Sequence, residues 1–240
     1  MTIRAYAVLL LAVAFAVSPA FSSFNGFDPS LYPVPQESPP VQPAGWAFSI
    51  WGLIYAWLIV HAAYGAWKRA ENPAWDRTRG GLILSLGIGA FWLAVAEISP
   101  IWATVLIWAM LAGALHALFK ATDRTDRWLL QPPIAIYAGW LTAASSVSIG
   151  LLLAGWGITG EGVAAWIGIA VALTVALVVL SALGRAPEYA GAVVWALAGV
   201  IAQNWGGRWD IVALAALGAV AIAAVATLRS FGGKPGYEAH

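Results

Sequence analysis

The 240-residue sequence contains no cysteine, which excludes a disulfide framework, thiolate metal sites and thiol catalysis. Charge is also scarce, because Asp, Glu, Lys and Arg make up only 10% of the residues. The formal net charge of +1 gives no reason to expect a nucleic-acid partner. With 61% hydrophobic residues, the chain has too little polar surface to close a soluble globule. We therefore predict an all-α integral membrane protein.

Motifs of the common enzyme classes are missing as well. The sequence has no GxSxG, no HExxH and no Walker loop, and its three histidines lie on separate segments without a metal-ligand spacing. We therefore predict no catalytic residue, no metal site and no required cofactor. A retinal Schiff base is disfavoured because every lysine lies in a loop or tail, namely Lys68, Lys120 and Lys234.

Apolar runs of about 20 residues, the length that a bilayer core demands, occur eight times. They predict helices over 5–22, 46–67, 80–98, 101–119, 129–154, 162–183, 189–205 and 210–228. The fifth run contains Pro132 and Pro133, which predict that its first turns are distorted or lie at the membrane interface.

Basic residues are distributed unevenly between the two sides of these helices. Eleven of the twelve fall before the first helix, in alternate loops on the same side, or after the last helix. The loops of the other side hold only Arg208. Because Lys and Arg are retained on the cytoplasmic side, both termini are predicted to be cytoplasmic. As an alternative, the first run is a cleaved signal peptide with a small-residue cleavage region around Ser18 to Ala20, which leaves seven helices.

The most specific segment spans residues 39–55, where a proline-punctuated loop runs into aromatic residues. Its prolines hold the loop extended, so the second helix can begin only near Ala44 or Gly45. The aromatic residues that follow are predicted to form a wall, with an ordinary interfacial belt as the alternative. They are Trp46, Phe48, Trp51 and Tyr55.

A second aromatic pair occurs in the fifth helix, where Tyr137 and Trp140 lie three residues apart on one face. The nearby hydroxyl residues, including Ser148, suit either close helix packing or ligand hydrogen bonds. Tryptophans deep in other spans, such as Trp92, need an acceptor for the indole N–H, which lipid tails cannot supply. A cavity walled by indoles suits a flat, largely apolar ligand.

Few polar groups lie inside the predicted spans. His61, in the second helix, is either a functional group or a neutral imidazole bonded to a neighbouring helix. Small residues repeat every four positions in the third helix at Gly81, Ser85 and Gly89. This ridge predicts close approach of another helix, either within the chain or in a homodimer.

Together, the Pro-Pro, WAF and WGLIY sequences and the later Y-x-x-W resemble the TspO/MBR family of translocator or tryptophan-rich sensory proteins. Trp51 and Tyr55 match its W-x-x-x-Y, Tyr137 and Trp140 match its Y-x-x-W, and Ser148 stands where an Asn is usual. The resemblance implies a five-helix core over 1–154, which leaves a three-helix extension over 155–230 and a cytoplasmic tail over 231–240.

By resemblance, the expected function is binding, transport or sensing of a flat hydrophobic ligand, such as a porphyrin, a haem-like tetrapyrrole or a sterol-like lipid. The residues expected to contact it are Trp51, Tyr55, Trp92, Tyr137, Trp140, Trp46, Phe48, Ser148 and His61. Two alternatives stay open. One is an eight-helix transporter of small solutes that uses His61 and Glu97 for coupling. The other is slow modification of a bound tetrapyrrole with indoles as redox partners.

Overall fold

The computed structural model describes residues 1–22, 27–183 and 186–231, and these ranges contain eight α-helices. This confirms the predicted all-α fold. The helices are α1 (Thr2–Val17), α2 (Ile50–Lys68), α3 (Pro73–Ala96), α4 (Pro100–Lys120), α5 (Arg127–Gly155), α6 (Glu161–Ala182), α7 (Pro187–Asn204) and α8 (Trp209–Phe231). Arg185 and the predicted tail beyond Phe231 lie outside the described residues.

Seven of the described segments are long and apolar enough to cross a membrane, which places the protein in a lipid bilayer. The helix that falls short of this standard is α7. It has only 18 residues, and polar side chains stand at both of its ends, including Glu188 and Asn204.

Two helix boundaries differ from the prediction for local reasons. A 3₁₀ turn over Gly45–Ser49 precedes α2, which therefore begins at Ile50 rather than at residue 46. Helix α3 begins at Pro73, seven residues before the predicted start. Asn72 caps it by accepting the backbone N–H of Ala74 at 2.8 Å, so two polar turns precede the apolar run.

Five helices form a closed ring in which the neighbours follow the order α1, α2, α5, α4, α3 and back to α1. Helices α6 and α7 pack on the outer side of α5, and α8 packs on α6 and α7. Helix α5 is therefore shared by the ring and the C-terminal helices. It continues through Pro132 and Pro133, both buried, so the expected distortion does not interrupt it.

The small-residue ridge of α3 is used inside the chain, which is one of the two alternatives predicted from the sequence. Gly81, Ser85 and Gly89 are all buried in the single chain. A Cβ atom on Gly81 would clash with the carbonyl oxygen of Gly113 in α4. The ridge therefore brings α3 and α4 together, and these residues are unavailable to a second subunit.

Ion pairs join the helices at the end of the bundle that carries residues 69–72 and 121–126, called the basic end below. One pair joins Arg69, after α2, to Asp126, before α5. Another joins Arg127 of α5 to Glu188 of α7 at 2.7 Å. The C-terminal helices are thus tied to the ring at this end by charge as well as by packing.

Candidate ligand cavity

A cavity of about 460 Å³ lies inside the five-helix ring, in the half of the bundle opposite the basic end. All five ring helices contribute to its wall, and the segment before α2 closes it. Among the described residues, no charged side chain lines it. The cavity is thus an uncharged space within the membrane part of the protein.

Five of the predicted aromatic residues line this cavity, and four of them come from α2, the turn before it and α5. The rings of Trp51 and Tyr55 are stacked, with centroids 5.1 Å apart and an interplanar angle of 18°. Trp140 of α5 stands edge-on to Trp51 at 6.2 Å and to Phe48 at 5.6 Å. Residues from α2 and α5 therefore form two adjoining aromatic walls.

Trp92 and Ser148 also line the cavity, and internal bonds hold their side chains. The Trp92 indole N–H donates to the carbonyl oxygen of Ala103 at 2.8 Å. The Ser148 hydroxyl donates to the carbonyl oxygen of Ser145 at 2.7 Å. Their polar hydrogens are thus already used within the helices, and each side chain has a fixed position at the wall.

Three predicted contact residues lie outside the cavity. Tyr137 is fully buried behind the wall, with its ring centroid 6.5 Å from that of Trp51. Trp46 is 48% exposed and packs edge-on against Trp195 of α7 at 5.0 Å. His61 lies towards the basic end and bonds to α5.

Trp46 and Phe48 point to different sides of the segment before α2. Positions two apart point in widely different directions both in this 3₁₀ turn and in an α-helix. Phe48 therefore faces the cavity while Trp46 packs against α7. The predicted wall begins at Phe48 and continues through Trp51 and Tyr55.

Phe15 of α1 is a cavity residue that the sequence motifs did not reveal. Its ring stands edge-on to Trp51 at 5.6 Å and to Tyr55 at 5.1 Å. The available signal was the helical spacing of the buried face of α1, which is formed by Ala5, Val8, Ala12 and Phe15. Helix α1 thus supplies part of the cavity wall.

Polar groups without partners lie in the aromatic wall. Within the described part of the chain, the indole N–H groups of Trp51 and Trp140 and the hydroxyl of Tyr55 form no hydrogen bond. Other deep tryptophans do have acceptors. The indole of Trp108, for example, donates to the carbonyl oxygen of Ser145 at 3.1 Å. Trp51 and Trp140 thus differ from Trp92 and Trp108, whose indole N–H groups are bonded within the described residues.

These features define a multi-pass helical membrane protein with an aromatic-lined cavity that no charged side chain of the described residues lines. The model of the TSPO-like protein family matches residues 4–229, and the chain belongs to this family. The resemblance found in the motifs is thus confirmed. Family membership indicates membrane ligand binding or transport in general terms. No curated protein and no solved structure matches the chain.

The family match extends over all eight helices, from α1 to the last turns of α8. It continues through the boundary predicted at residue 154. Helices α6 to α8 therefore belong to the sequence pattern that this family shares.

Proposed function

We propose that the protein binds a flat, largely apolar small molecule in the cavity, with porphyrins and related tetrapyrroles as the first class to test and sterol-like lipids as the second. The observation that carries the proposal is the aromatic wall of Trp51, Tyr55 and Trp140 around a volume of about 460 Å³. Pockets for small molecules usually occupy about 300–1,000 Å³ and are mostly apolar. Stacking on such rings adds about 0.5–1.5 kcal/mol per pair beyond the burial of area.

The free donors in the wall narrow the class of ligand. Two indole N–H groups and the Tyr55 hydroxyl have no acceptor in the described residues. A ligand with carbonyl or carboxyl oxygens at its edge would satisfy them, whereas a pure hydrocarbon would leave them unpaired. This supports a ligand with a flat apolar body and oxygen acceptors at its edge.

Titration of the protein in lipid nanodiscs with protoporphyrin tests the proposal through quenching of tryptophan fluorescence. Ala144→Phe places a ring in the cavity without removing an aromatic residue, since Ala144 lines it. Ala112→Phe makes the same change on the exposed side of α4 and serves as the matched control. We expect saturable quenching in the wild type and the control, and affinity lowered about tenfold or more in Ala144→Phe. Absence of saturable quenching in the wild type, or unchanged affinity in Ala144→Phe, contradicts the proposal.

The aromatic wall itself is tested by Trp51→Ala and Trp140→Ala, with Trp166→Ala as the control. Trp166 is exposed and bonds to Asp210 of α8, away from the cavity. We expect weaker binding in the two wall variants only. Equal affinities in all three would place the porphyrin elsewhere on the protein.

The positions of His61 and Glu97 do not favour the alternative function, in which these two residues couple the transport of a small solute. His61 lies in the half of α2 near the basic end, whereas Glu97 follows α3 at the other end. The Glu97 carboxylate accepts the hydroxyl of Ser22 at 2.8 Å. The two groups therefore share no site at which a proton or ion could pass directly between them.

A further inference from the structure

Residues 38–49, called the strap below, form one part of the cavity wall outside the ring helices, and Pro19 and Phe27 form another. Gln42, Pro43, Gly45 and Phe48 of the strap line the cavity. Since these residues precede α2, the strap closes the end of the cavity that faces away from the basic end. The position of the strap therefore affects how open the cavity is at that end.

The backbone of the strap is bonded to α7 rather than to the ring. The Ala44 N–H donates to the carbonyl oxygen of Gly199 at 3.0 Å. In the opposite direction, the Trp195 indole N–H donates to the carbonyl oxygen of Ala47 at 2.8 Å. The first bond satisfies the Ala44 N–H, and the second is added to a carbonyl oxygen that also accepts the Ile50 N–H.

A third bond lies near the end of α7. The side-chain amide of Asn204, which is buried, donates to the carbonyl oxygen of Pro40 at 2.8 Å. The same amide group also donates to the carbonyl oxygen of Val200 in its own helix, which fixes the side chain in this position. Three successive regions of the strap are thus tied to a single helix outside the ring.

Glycines let the strap approach the C-terminal helices closely. A Cβ atom on Gly199 would lie 2.8 Å from the Cβ atoms of both Pro43 and Ala47. Val41 fits where α5 and α6 both lack a side chain, since Cβ atoms on Gly150 and Gly168 would lie 2.9 and 2.8 Å from it. The fit leaves no room for an added methyl group at these positions.

We infer that α7 positions the strap through Trp195, Gly199 and Asn204, and that this anchoring controls access to the cavity. The three residues act as positioning residues, because none of them lines the cavity. Release of the strap from α7 opens the cavity at the end away from the basic end. The consequence for ligand exchange rests on the function proposed above, whereas the consequence for access does not.

Access can be measured without a ligand because the chain has no cysteine. Ser148→Cys places a single thiol at the cavity wall, where the residue is only 5% exposed. The rate of its alkylation by a maleimide, in nanodiscs, reports how often the cavity opens. We expect Trp195→Phe and Gly199→Ala, each in this background, to raise the rate about tenfold. The first removes a hydrogen bond to the strap, and the second adds a methyl group that would lie 2.8 Å from Pro43 and Ala47.

The chain offers a matched control for each variant. Trp166→Phe also removes an indole hydrogen bond, here a 3.0 Å bond from α6 to Asp210 of α8. Gly191→Ala adds a methyl group elsewhere on α7, where no heavy atom lies within 4 Å of the new Cβ. We expect both controls to keep the alkylation rate of the Ser148→Cys parent. Trp195→Phe retains the ring packing, so it remains a test if Gly199→Ala fails to fold.

Equal alkylation rates in the anchor and control variants would overturn the inference. So would a similar increase in all four, because general loosening of the bundle does not single out the anchor. As a second readout, the anchor variants should release bound protoporphyrin about tenfold faster than the controls. If the wild type binds no porphyrin while the alkylation rates differ as expected, the proposed function fails and the anchoring inference stands. If the wild type binds porphyrin but the alkylation rates of the anchor and control variants do not differ, the anchoring inference fails and the proposed function stands.

Discussion

The Nδ1 atom of His61 lies 2.7 Å from the carbonyl oxygen of Leu129. In a regular α-helix that oxygen would accept the backbone N–H four residues later, but residue 133 is a proline and has none. The imidazole of α2 therefore supplies the donor that α5 lacks. This bond requires the proton on Nδ1, because a carbonyl oxygen can only accept.

The carbonyl group of the preceding residue in α5 also lacks its helical N–H donor, and a side chain of α2 again supplies one. Pro132 leaves the carbonyl oxygen of Trp128 without its helical donor, and the Trp57 indole N–H donates to it at 3.2 Å. Trp57 and His61 are four residues apart and so lie on the same face of α2. A helix with tandem prolines can continue in the membrane because its neighbour satisfies both freed groups.

We predict that His61→Leu lowers the free energy of unfolding by about 1–3 kcal/mol, the usual cost of a buried polar group without a partner. Pro133→Ala restores an N–H for the carbonyl oxygen of Leu129, so the loss caused by His61→Leu should be smaller in that background. Denaturant unfolding of the four proteins of this cycle gives the interaction energy.

The control is His116→Leu, because His116 is exposed on α4. It should leave the stability nearly unchanged. If His61→Leu lowered the free energy of unfolding equally in the presence and in the absence of Pro133, the imidazole would act in some other way than by replacing the missing donor.

The contacts of the Asp126 carboxylate predict that the ion pair with Arg69 at the basic end weakens in acid. Its carboxylate accepts hydrogen bonds from the Arg69 guanidinium, from the Tyr64 hydroxyl at 3.1 Å and from the Trp75 indole at 3.3 Å. These bonds, with that from Arg69 contributing most, hold the pKa of Asp126 below its ordinary value of 3.8.

Because the folded-state pKa is the lower one, the stabilisation is complete above the unfolded pKa and is lost as pH falls through the folded value. We therefore expect Asp126→Asn to be less stable than the wild type at neutral pH and to lose less further stability below about pH 4. Thermal unfolding measured across this range checks both statements. Asp123→Asn is the control. Within the described residues, the carboxylate of Asp123 accepts only the backbone N–H of Thr125. Parallel acid curves for the wild type and Asp126→Asn would contradict the prediction.

Adjacent glycines of α3 test how the ridge is used. Gly81→Ala would push a methyl group into the backbone of α4, whereas a Cβ on Gly80 meets no heavy atom within 4 Å. We expect Gly81→Ala to destabilise the protein by about 1–3 kcal/mol, the usual range for overpacking. Gly80→Ala should be neutral or slightly stabilising, because alanine favours the helix. A loss of dimer with unchanged monomer stability in Gly81→Ala would instead restore the ridge as a subunit interface.

Sequence patterns predicted the number of helices because bilayer-length apolar runs are local properties, whereas the meeting of the α2 and α5 aromatic residues was expected from the family resemblance. Tertiary partners were harder to predict. The bond between Ala47 and Trp195 joins residues 148 positions apart, and no local pattern indicates it. Trp195 could only be predicted to need an acceptor.

Side-chain direction was the other limit. The predicted wall included Trp46 together with Phe48, but residues two apart in a helical turn point to different sides. Trp46 packs against Trp195, whereas Phe48 packs against Trp140. Small residues likewise predicted close helix approach correctly without indicating the partner. For Gly81 that partner is Gly113 of the adjacent helix.

Tyr137 and Tyr55 provide a prediction that separates support of the wall from contact with the ligand. The Ser85 hydroxyl donates to the carbonyl oxygen of Met110 at 2.7 Å, so its 2.8 Å contact with Tyr137 is a bond that the tyrosine donates. Tyr137→Phe should therefore cost about 1 kcal/mol of stability and leave protoporphyrin affinity within about twofold.

Tyr55→Phe removes a hydroxyl that has no partner among the described residues but lines the cavity. It should leave the stability nearly unchanged and weaken the binding of a ligand that carries an oxygen acceptor. Unfolding and fluorescence titration of both variants check this pair of opposite effects. If Tyr137→Phe weakened binding as much as Tyr55→Phe did, the ligand would have to reach the second layer of the wall.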